Sequence, residues 1–260
     1  MVPLFSDAGL RRLDEIVGPD LLCVFDFDGT LAPIVPQPDK AILPQEVLQR
    51  LSALAAHVPL AILTGRSVAD IRSRVAFEPN YIIGNHGSEG MPGWHVNSDD
   101  YRKLCRTWKE VLSQALGDKQ RFGPATWIED KGFSLTVHYR AAPESELVKK
   151  NLSALFAQAI PAARVIEGKC IFNLLPPNAP HKGDALEKLM EISGARHAIY
   201  VGDDVTDEDA FQLRRQDIMT VRVEYFAGSA AEFYLPHWPD IVGFLDELIR
   251  RLQELQPSGV

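Results

Sequence analysis

The sequence predicts an α/β fold: a doubly wound, Rossmann-like parallel sheet with an inserted α+β domain. Three observations predict it. Short apolar runs alternate with amphipathic helical stretches at both ends of the chain, the pattern of buried parallel strands covered on both faces. Between residues 99 and 177 that alternation gives way to closely linked strands that must pair antiparallel. Each of four core strands runs straight from apolar residues into a polar cluster, as strands do where their carboxyl ends form a binding edge.

The first third reads as β-α-β-α-β. Leu21 to Phe25 is an apolar strand, and Pro44 to His57 is a helix. In that helix Val47, Leu48, Leu51, Leu54 and Ala55 recur at three- and four-residue spacing, behind a proline suited to a first helical position. Strand Leu60 to Leu63, helix Ser67 to Ala76 and strand Tyr81 to Ile83 follow. The insert reads as helix Tyr101 to Leu116, strands Thr126 to Glu129 and Phe133 to Tyr139, helix Glu144 to Ala159, and strands Arg164 to Glu167 and Ile171 to Leu174. The Pro-rich stretch Leu175 to Pro180 is its return hinge. Helix Gly183 to Ile192, strand Ala198 to Val201, helix Glu208 to Gln216 and strand Met219 to Val223 restore the alternation. A last helix, Asp240 to Leu255, lines up Ile241, Phe244, Leu245, Leu248, Ile249 and Leu252 on one stripe. The expected domains are therefore a core in two parts, 1–98 and 178–260, and an insert, 99–177; only the tail Gln256 to Val260 reads as disordered.

Composition narrows the function. The 260 residues carry 27 Lys and Arg against 35 Asp and Glu, a formal charge of −8, with 46% hydrophobic residues. Phosphate backbones are held by clustered cations, and only scattered pairs such as Arg11-Arg12, Lys149-Lys150 and Arg250-Arg251 occur, which argues against a nucleic-acid binder. No apolar run approaches the about 20 residues that cross a bilayer, and Met1 to Glu15 shows no secretory pattern, so no membrane partner is expected. Cys23, Cys105 and Cys170 lie far apart without metal-binding or disulfide spacing. A cytoplasmic monomer is the expectation.

The polar clusters are Asp26-Phe27-Asp28-Gly29-Thr30, Thr64-Gly65-Arg66, Gly84-Asn85-His86-Gly87 and Gly202-Asp203-Asp204. Residues two apart on extended chain point the same way, so Asp26 and Asp28 should face one site, joined there by Asp203 and Asp204 from another strand. Carboxylates crowded in this way repel unless a cation is present, and hard oxygen ligands open to phosphate and water suit Mg²⁺. Thr64, its neighbouring glycines and Lys182 could supply donors and a cation for an anionic group.

Asp26-Phe27-Asp28-Gly29-Thr30-Leu31 after an apolar strand resembles the first motif of haloacid-dehalogenase-type phosphatases. Thr64-Gly65-Arg66, Lys182 and Gly202-Asp203-Asp204-x-Thr206-Asp207-Glu208 resemble the second, third and fourth in the same order. Gly84-Asn85-His86-Gly87, Glu129-x-Lys131 with His138-Tyr139-Arg140, and Glu167-Gly168-Lys169 are similar to motifs of the trehalose-6-phosphate phosphatase family within that superfamily. The resemblance implies that Asp26 is the nucleophile, forming an aspartyl-phosphate, and that Asp28 is first acid and then base. It implies that Mg²⁺ is bound by Asp26, the backbone carbonyl of Asp28 and Asp203, with Asp204 and Asp207 behind them orienting metal waters or Lys182. Thr64 and Lys182 would bind phosphoryl oxygens. Gly65, Arg66, Asn85, His86, Glu129, Lys131, Arg140 and Asn173 would contact the sugar phosphate substrate, the insert acting as a lid. Asn173 stands where the family has a glutamate and so offers one charged acceptor fewer.

Other readings stand beside these. The same architecture serves phosphatases of sucrose phosphate, mannosylglycerate phosphate or hexose phosphates, or a non-catalytic sugar-phosphate sensor; the presence of both motif aspartates argues against the last. Asp-x-Asp can start a turn, Thr64 can cap a helix, and Asp203 to Asp209 can be a solvated cap. Lys182 can be a surface lysine, His86 a packed histidine, Glu129 with Lys131 a surface pair, and His138 and Arg140 outer-face residues. Trp94, Trp108 and Trp127 read as packing, and Cys23 as inert.

Overall fold

The computed structural model describes residues 1–93, 98–168 and 170–255, apart from the side chains of Pro38 and Ser98; Trp94, Lys169 and Gln256 to Val260 lie outside the described residues. In chain order the elements begin with β1 (Val2–Pro3), α1 (Asp7–Ile16), β2 (Leu21–Phe25), α2 (Gln45–Ala55), β3 (Leu60–Leu63), α3 (Val68–Arg72) and β4 (Tyr81–Ile83). Then come α4 (Ser98–Ala115), α5 (Lys119–Phe122), β5 (Trp127–Asp130), β6 (Leu135–His138), α6 (Ser145–Ala159), β7 (Arg164–Gly168) and β8 (Ile171–Leu175). The chain closes with α7 (Lys182–Ser193), β9 (His197–Gly202), α8 (Glu208–Phe211), β10 (Ile218–Val223), β11 (Phe233–Leu235) and α9 (Asp240–Glu254). Two compact units result, Met1–Pro92 with Pro180–Val260, and Gly93–Ala179; the expected limits 99 and 177 fall inside the second.

The first unit is built on a seven-stranded sheet in the order β1-β11-β10-β9-β2-β3-β4. Every neighbouring pair is parallel. All five residues of β2 are buried, as an all-apolar strand covered on both faces must be. Leu21, Cys23 and Phe25 join Leu60, Ile62, Ile199 and Val201 on one face, packed by Leu13 and Ile16 of α1, Val47, Leu51 and Leu54 of α2, and the Ile241-Phe244-Leu245-Leu248 stripe of α9. Each fully buried leucine in that stripe is stabilised by about 2 kcal/mol through loss of apolar surface. Helix α7 packs on the same sheet through β2 and β9.

Two expected helices end early, each for a local cause. The helix expected over 208 to 216 stops at Phe211, because Arg214 takes φ +48° and Arg215 turns to Asp217 and Glu187. The helix expected over 67 to 76 ends at Arg72, where Ser73 Oγ bonds the Asp70 carbonyl. Helix α1, capped by the Ser6 side chain, and the short β1, α5 and β11 were not expected.

The second unit is a four-stranded antiparallel sheet, β5-β6-β8-β7. Leu135, Val137, Phe172 and Leu174 turn one face onto Trp108 and Leu112 of α4 and Leu152 and Phe156 of α6. Because side chains alternate, the other face carries the row Glu129, Thr136, Asn173 and Ile166, paired strand to strand.

Candidate active site

The chain leaves β2 in opposite directions along the first sheet, to β3 and β4 on one side and, later, to β9, β10 and β11 on the other. That reversal is where open parallel sheets bind ligands at their carboxyl ends. Asp26 follows β2, Thr64 follows β3, Asn85 and His86 follow β4, and Asp203 follows β9. Lys182 opens α7, which is capped by His181: its Nδ1 accepts from the Asp184 N–H while the Asp184 carboxylate accepts from the His181 N–H.

The centre of the site is one buried ammonium between carboxylates. Lys182, 1% exposed, donates to Asp26 Oδ1 at 2.8 Å and to Asp207 Oδ1 at 2.6 Å. Burial opposes its charge, but Asp207 and Asp26 outweigh burial and hold its pKa above the ordinary lysine value. Burial raises the Asp26 pKa to about 7, the charges of Asp207 and Asp28 adding to the effect and Lys182 opposing it. Burial likewise pushes Asp203 well above the usual carboxylate range, reinforced by Asp26, Asp207 and Asp204.

Asp26, Asp203 and Asp207 present ligand atoms within 4.8 Å of one another. Three carboxylates against one ammonium leave two negative charges, which one divalent cation would neutralise. Asp207 has no room for such an ion: Oδ1 takes Lys182 and the Tyr200 hydroxyl at 2.5 Å, and Oδ2 takes the Asp203 and Asp204 N–H groups, each at 2.9 Å. Asp203 Oδ1 is different, being buried without a hydrogen-bond partner, a state that costs free energy unless a cation or donor fills it. The Asp203 carboxylate lies where a Cβ at Gly29 would be, 2.1 Å from its Oδ2, and Gly29 has φ +80°. Only glycine fits there without displacing the carboxylate. The residues therefore fit a hard divalent cation held between Asp26 and Asp203.

Asp28 lies outside the close trio but near enough for its charge to raise the Asp26 pKa, whereas the expected convergence of Asp204 needs correction. Asp204 is exposed and its carboxylate caps the Asp207 N–H, so Asp207 alone of the two holds Lys182. The Asp28 carboxylate, 41% exposed, is gripped by the Arg66 guanidinium at 2.5 and 2.7 Å. Arg66, expected on the substrate, also bonds Asp70 at 2.7 Å. Thr64 is buried, and its Oγ1 accepts from the Arg66 N–H at 3.2 Å. Gly65 lets the His86 ring lie against the backbone, 2.4 Å from where its Cβ would be. Asn85 and His86 both take positive φ, and Asn85 Nδ2 donates to Glu89 at 2.8 Å. His86 is thus a packed, buried histidine.

The remaining expected residues lie in the second unit. Glu129 pairs with His138 at 2.8 Å. Lys131 is half-buried and holds the turn by its N–H to the Ser134 carbonyl, while Arg140 is exposed. Asn173 is buried and its Oδ1 accepts from Thr136 Oγ1 at 2.8 Å. Trp108 is core packing, but Trp127 is 54% exposed and stacks on His138, with ring centroids 4.1 Å apart.

Sequence reasoning missed Tyr200, Asp70, Arg222 and Glu89. Tyr200 is the single hydroxyl in the run Ala198–Val201, whose other residues are apolar, a signal that was present. Arg222 donates to the carbonyls of Asp203 and Asp204 and to Glu208, bracing the acidic loop from β10. Its place as the one charged residue in the run Ile218–Val223 was the corresponding sign.

The chain is similar to known phosphatases along most of its length. A sequence model of the trehalose-phosphatase family matches residues 24–234. The probable trehalose-phosphate phosphatase J of Arabidopsis thaliana is 30% identical over 271 residues, covering 95% of this chain and 72% of its own. The trehalose-phosphate phosphatase of Mycobacterium tuberculosis is 33% identical over 259 residues, a match that covers 94% of this chain but 65% of that longer one. The C-terminal domain of the C. albicans trehalose-6-phosphate phosphatase shares the fold at a TM-score of 0.71 and 21% identity, over 96% of this chain and 98% of that one. With the family match running from inside β2 to inside β11, and so across every polar cluster described above, the chain belongs to the trehalose-phosphatase family.

Proposed function

We propose that the chain hydrolyses trehalose 6-phosphate to trehalose and phosphate through a phosphoryl group carried on Asp26. The observation that supports this most is the pairing of one nearly buried carboxylate, Asp26, with a buried Lys182 beside the unsatisfied oxygen of Asp203. Asp26 attacks phosphorus in line, the phosphorus–sugar oxygen bond breaks, and Asp28 gives its proton to the departing oxygen. Asp28 then takes a proton from the water that cleaves the aspartyl-phosphate. Lys182 and Thr64 hold phosphoryl oxygens, and Asp207 keeps Lys182 in place. Mg²⁺ is the ion this reading places with Asp26, Asp203 and the Asp28 backbone carbonyl, where it would supply charge neutralisation for the phosphoryl group. The second unit supplies sugar recognition through Glu129, Lys131, Arg140 and Asn173.

The protein works in this reading as a monomer on a small-molecule substrate. No described helix is long and apolar enough to cross a membrane, and the free Cys23, Cys105 and Cys170 suit the reducing cytoplasm.

Phosphate release from a panel of sugar phosphates in Mg²⁺ tests the proposal. Trehalose 6-phosphate should give the highest kcat/KM, by about 10-fold or more over sucrose, mannosylglycerate and hexose phosphates. Preference for another member would overturn the substrate, and no release from any member would overturn the activity.

A further inference from the structure

We propose that Asp70 is a positioning residue for the reaction: it anchors Arg66, which in turn fixes the carboxylate of Asp28. The inference rests on the reading of Asp28 as the general acid.

The geometry is a chain of ion pairs on the β3–α3 segment. Arg66 applies one edge of its guanidinium to Asp28, Nε to Oδ2 at 2.5 Å and one terminal nitrogen to Oδ1 at 2.7 Å. Its other terminal nitrogen donates to Asp70 Oδ2 at 2.7 Å. Asp70 is itself held by one edge of the next guanidinium, Arg74, Nε to Oδ2 at 2.9 Å and a terminal nitrogen to Oδ1 at 2.7 Å. Arg74 in turn bonds the carbonyls of Asp39 at 3.0 Å and Ala41 at 2.9 Å. The side chains of Arg66 and Arg74 are 11% and 10% exposed, and Arg66 lies over the Phe27 ring at 5.7 Å.

A guanidinium is planar and rigid, so a carboxylate that grips its outer nitrogen sets the plane in which its inner edge meets another carboxylate. Asp70 lies in the first turn of α3, whose start is fixed by the Ser67 side chain accepting from the Asp70 N–H, and so meets Arg66 of the loop just before the helix. To act as the acid Asp28 must carry the proton on one oxygen, which then gives up its bond from Arg66, while the other oxygen still accepts from Arg66 and keeps the carboxyl oriented; a small misplacement is costly. A sugar alkoxide needs that proton as it departs. p-Nitrophenolate leaves without it. Loss of the anchor should therefore be felt according to the leaving group, which a general loss of structure would not be.

The test is single-turnover release of alcohol, at saturating substrate and Mg²⁺, from the best sugar phosphate of the panel and from p-nitrophenyl phosphate. Asp70→Asn should slow sugar release by about 10-fold or more while slowing p-nitrophenol release by no more than about 3-fold. Arg74→Gln, one link further out, should show the same selectivity at smaller size and serves if Asp70→Asn does not fold. Equal slowing of both substrates, or slowing of neither, would overturn the inference. Asp28→Asn is measured alongside. If it is selective and Asp70→Asn is not, the anchoring role alone fails; if Asp28→Asn is itself unselective, the general-acid reading fails and the inference with it.

Discussion

Gly29 shows most sharply how one residue shapes the site. Its missing side chain is the space that the Asp203 carboxylate occupies, at positive φ. Gly29→Ala should leave the fold intact yet displace Asp203 and so weaken the ion. The readout is the rise in Tm on adding Mg²⁺, which ligand binding to the folded state produces. In the wild type that rise should grow with pH. Burial raises Asp26 in the folded protein to about 7 from its ordinary value near 3.8. Without metal, its contribution to stability is therefore whole below pH 3.8 and is lost as pH climbs through 7. Metal binding needs the ionised form and releases the proton, so the rise should be larger at pH 8 than at about pH 5.5. A pH-independent rise in the wild type, or an undiminished one in Gly29→Ala, would count against the cation site.

Among the elements, α7 does most to tie sequence to chemistry. Its first residue is Lys182, so whatever fixes the start of the helix fixes the ammonium, and that is the reciprocal bonding of His181 and Asp184. His181→Ala should lose about 1 kcal/mol of stability, while His181→Asn, which can still accept from the Asp184 N–H, should keep most of it. Thermal melts of the two variants compare them directly, and equal melts would remove the capping role. The sequence made α7, the four core strands and the inserted sheet legible, because period and apolar run length are local properties. Neither β1 nor β11 could be read this way: Val2–Pro3 and Phe233–Leu235 are too short to carry a period, and pairing across the chain defines them. At the site, Asp26, Asp203, Lys182 and Thr64 were legible as residues at strand or helix ends. The partners were not. That Arg66 grips Asp28, that Glu129 meets His138 and that Asp204 turns away are consequences of side-chain packing. Local sequence pattern does not encode them.

Over the whole molecule the charge of −8 is unevenly shared. Residues 99 to 177 hold 12 Lys and Arg against 9 Asp and Glu, leaving 15 against 26 for the rest. The acidity thus belongs to the unit that holds Asp26, Asp203 and Asp207, a group whose ligand atoms lie close enough to hold a cation. In the proposed reading the insert, slightly cationic, would favour the approach of an anionic sugar phosphate, an attraction that salt would screen. Family membership, the parallel sheet and the acidic cluster with its lysine converge on one claim, that the phosphoryl group passes to Asp26. Rapid acid quench during turnover of trehalose 6-phosphate, followed by borohydride reduction and peptide mass spectrometry, tests that claim most directly. The account predicts conversion of Asp26 to homoserine only when substrate and Mg²⁺ are both present. Turnover without conversion at Asp26, or with conversion at a different carboxylate, would contradict it.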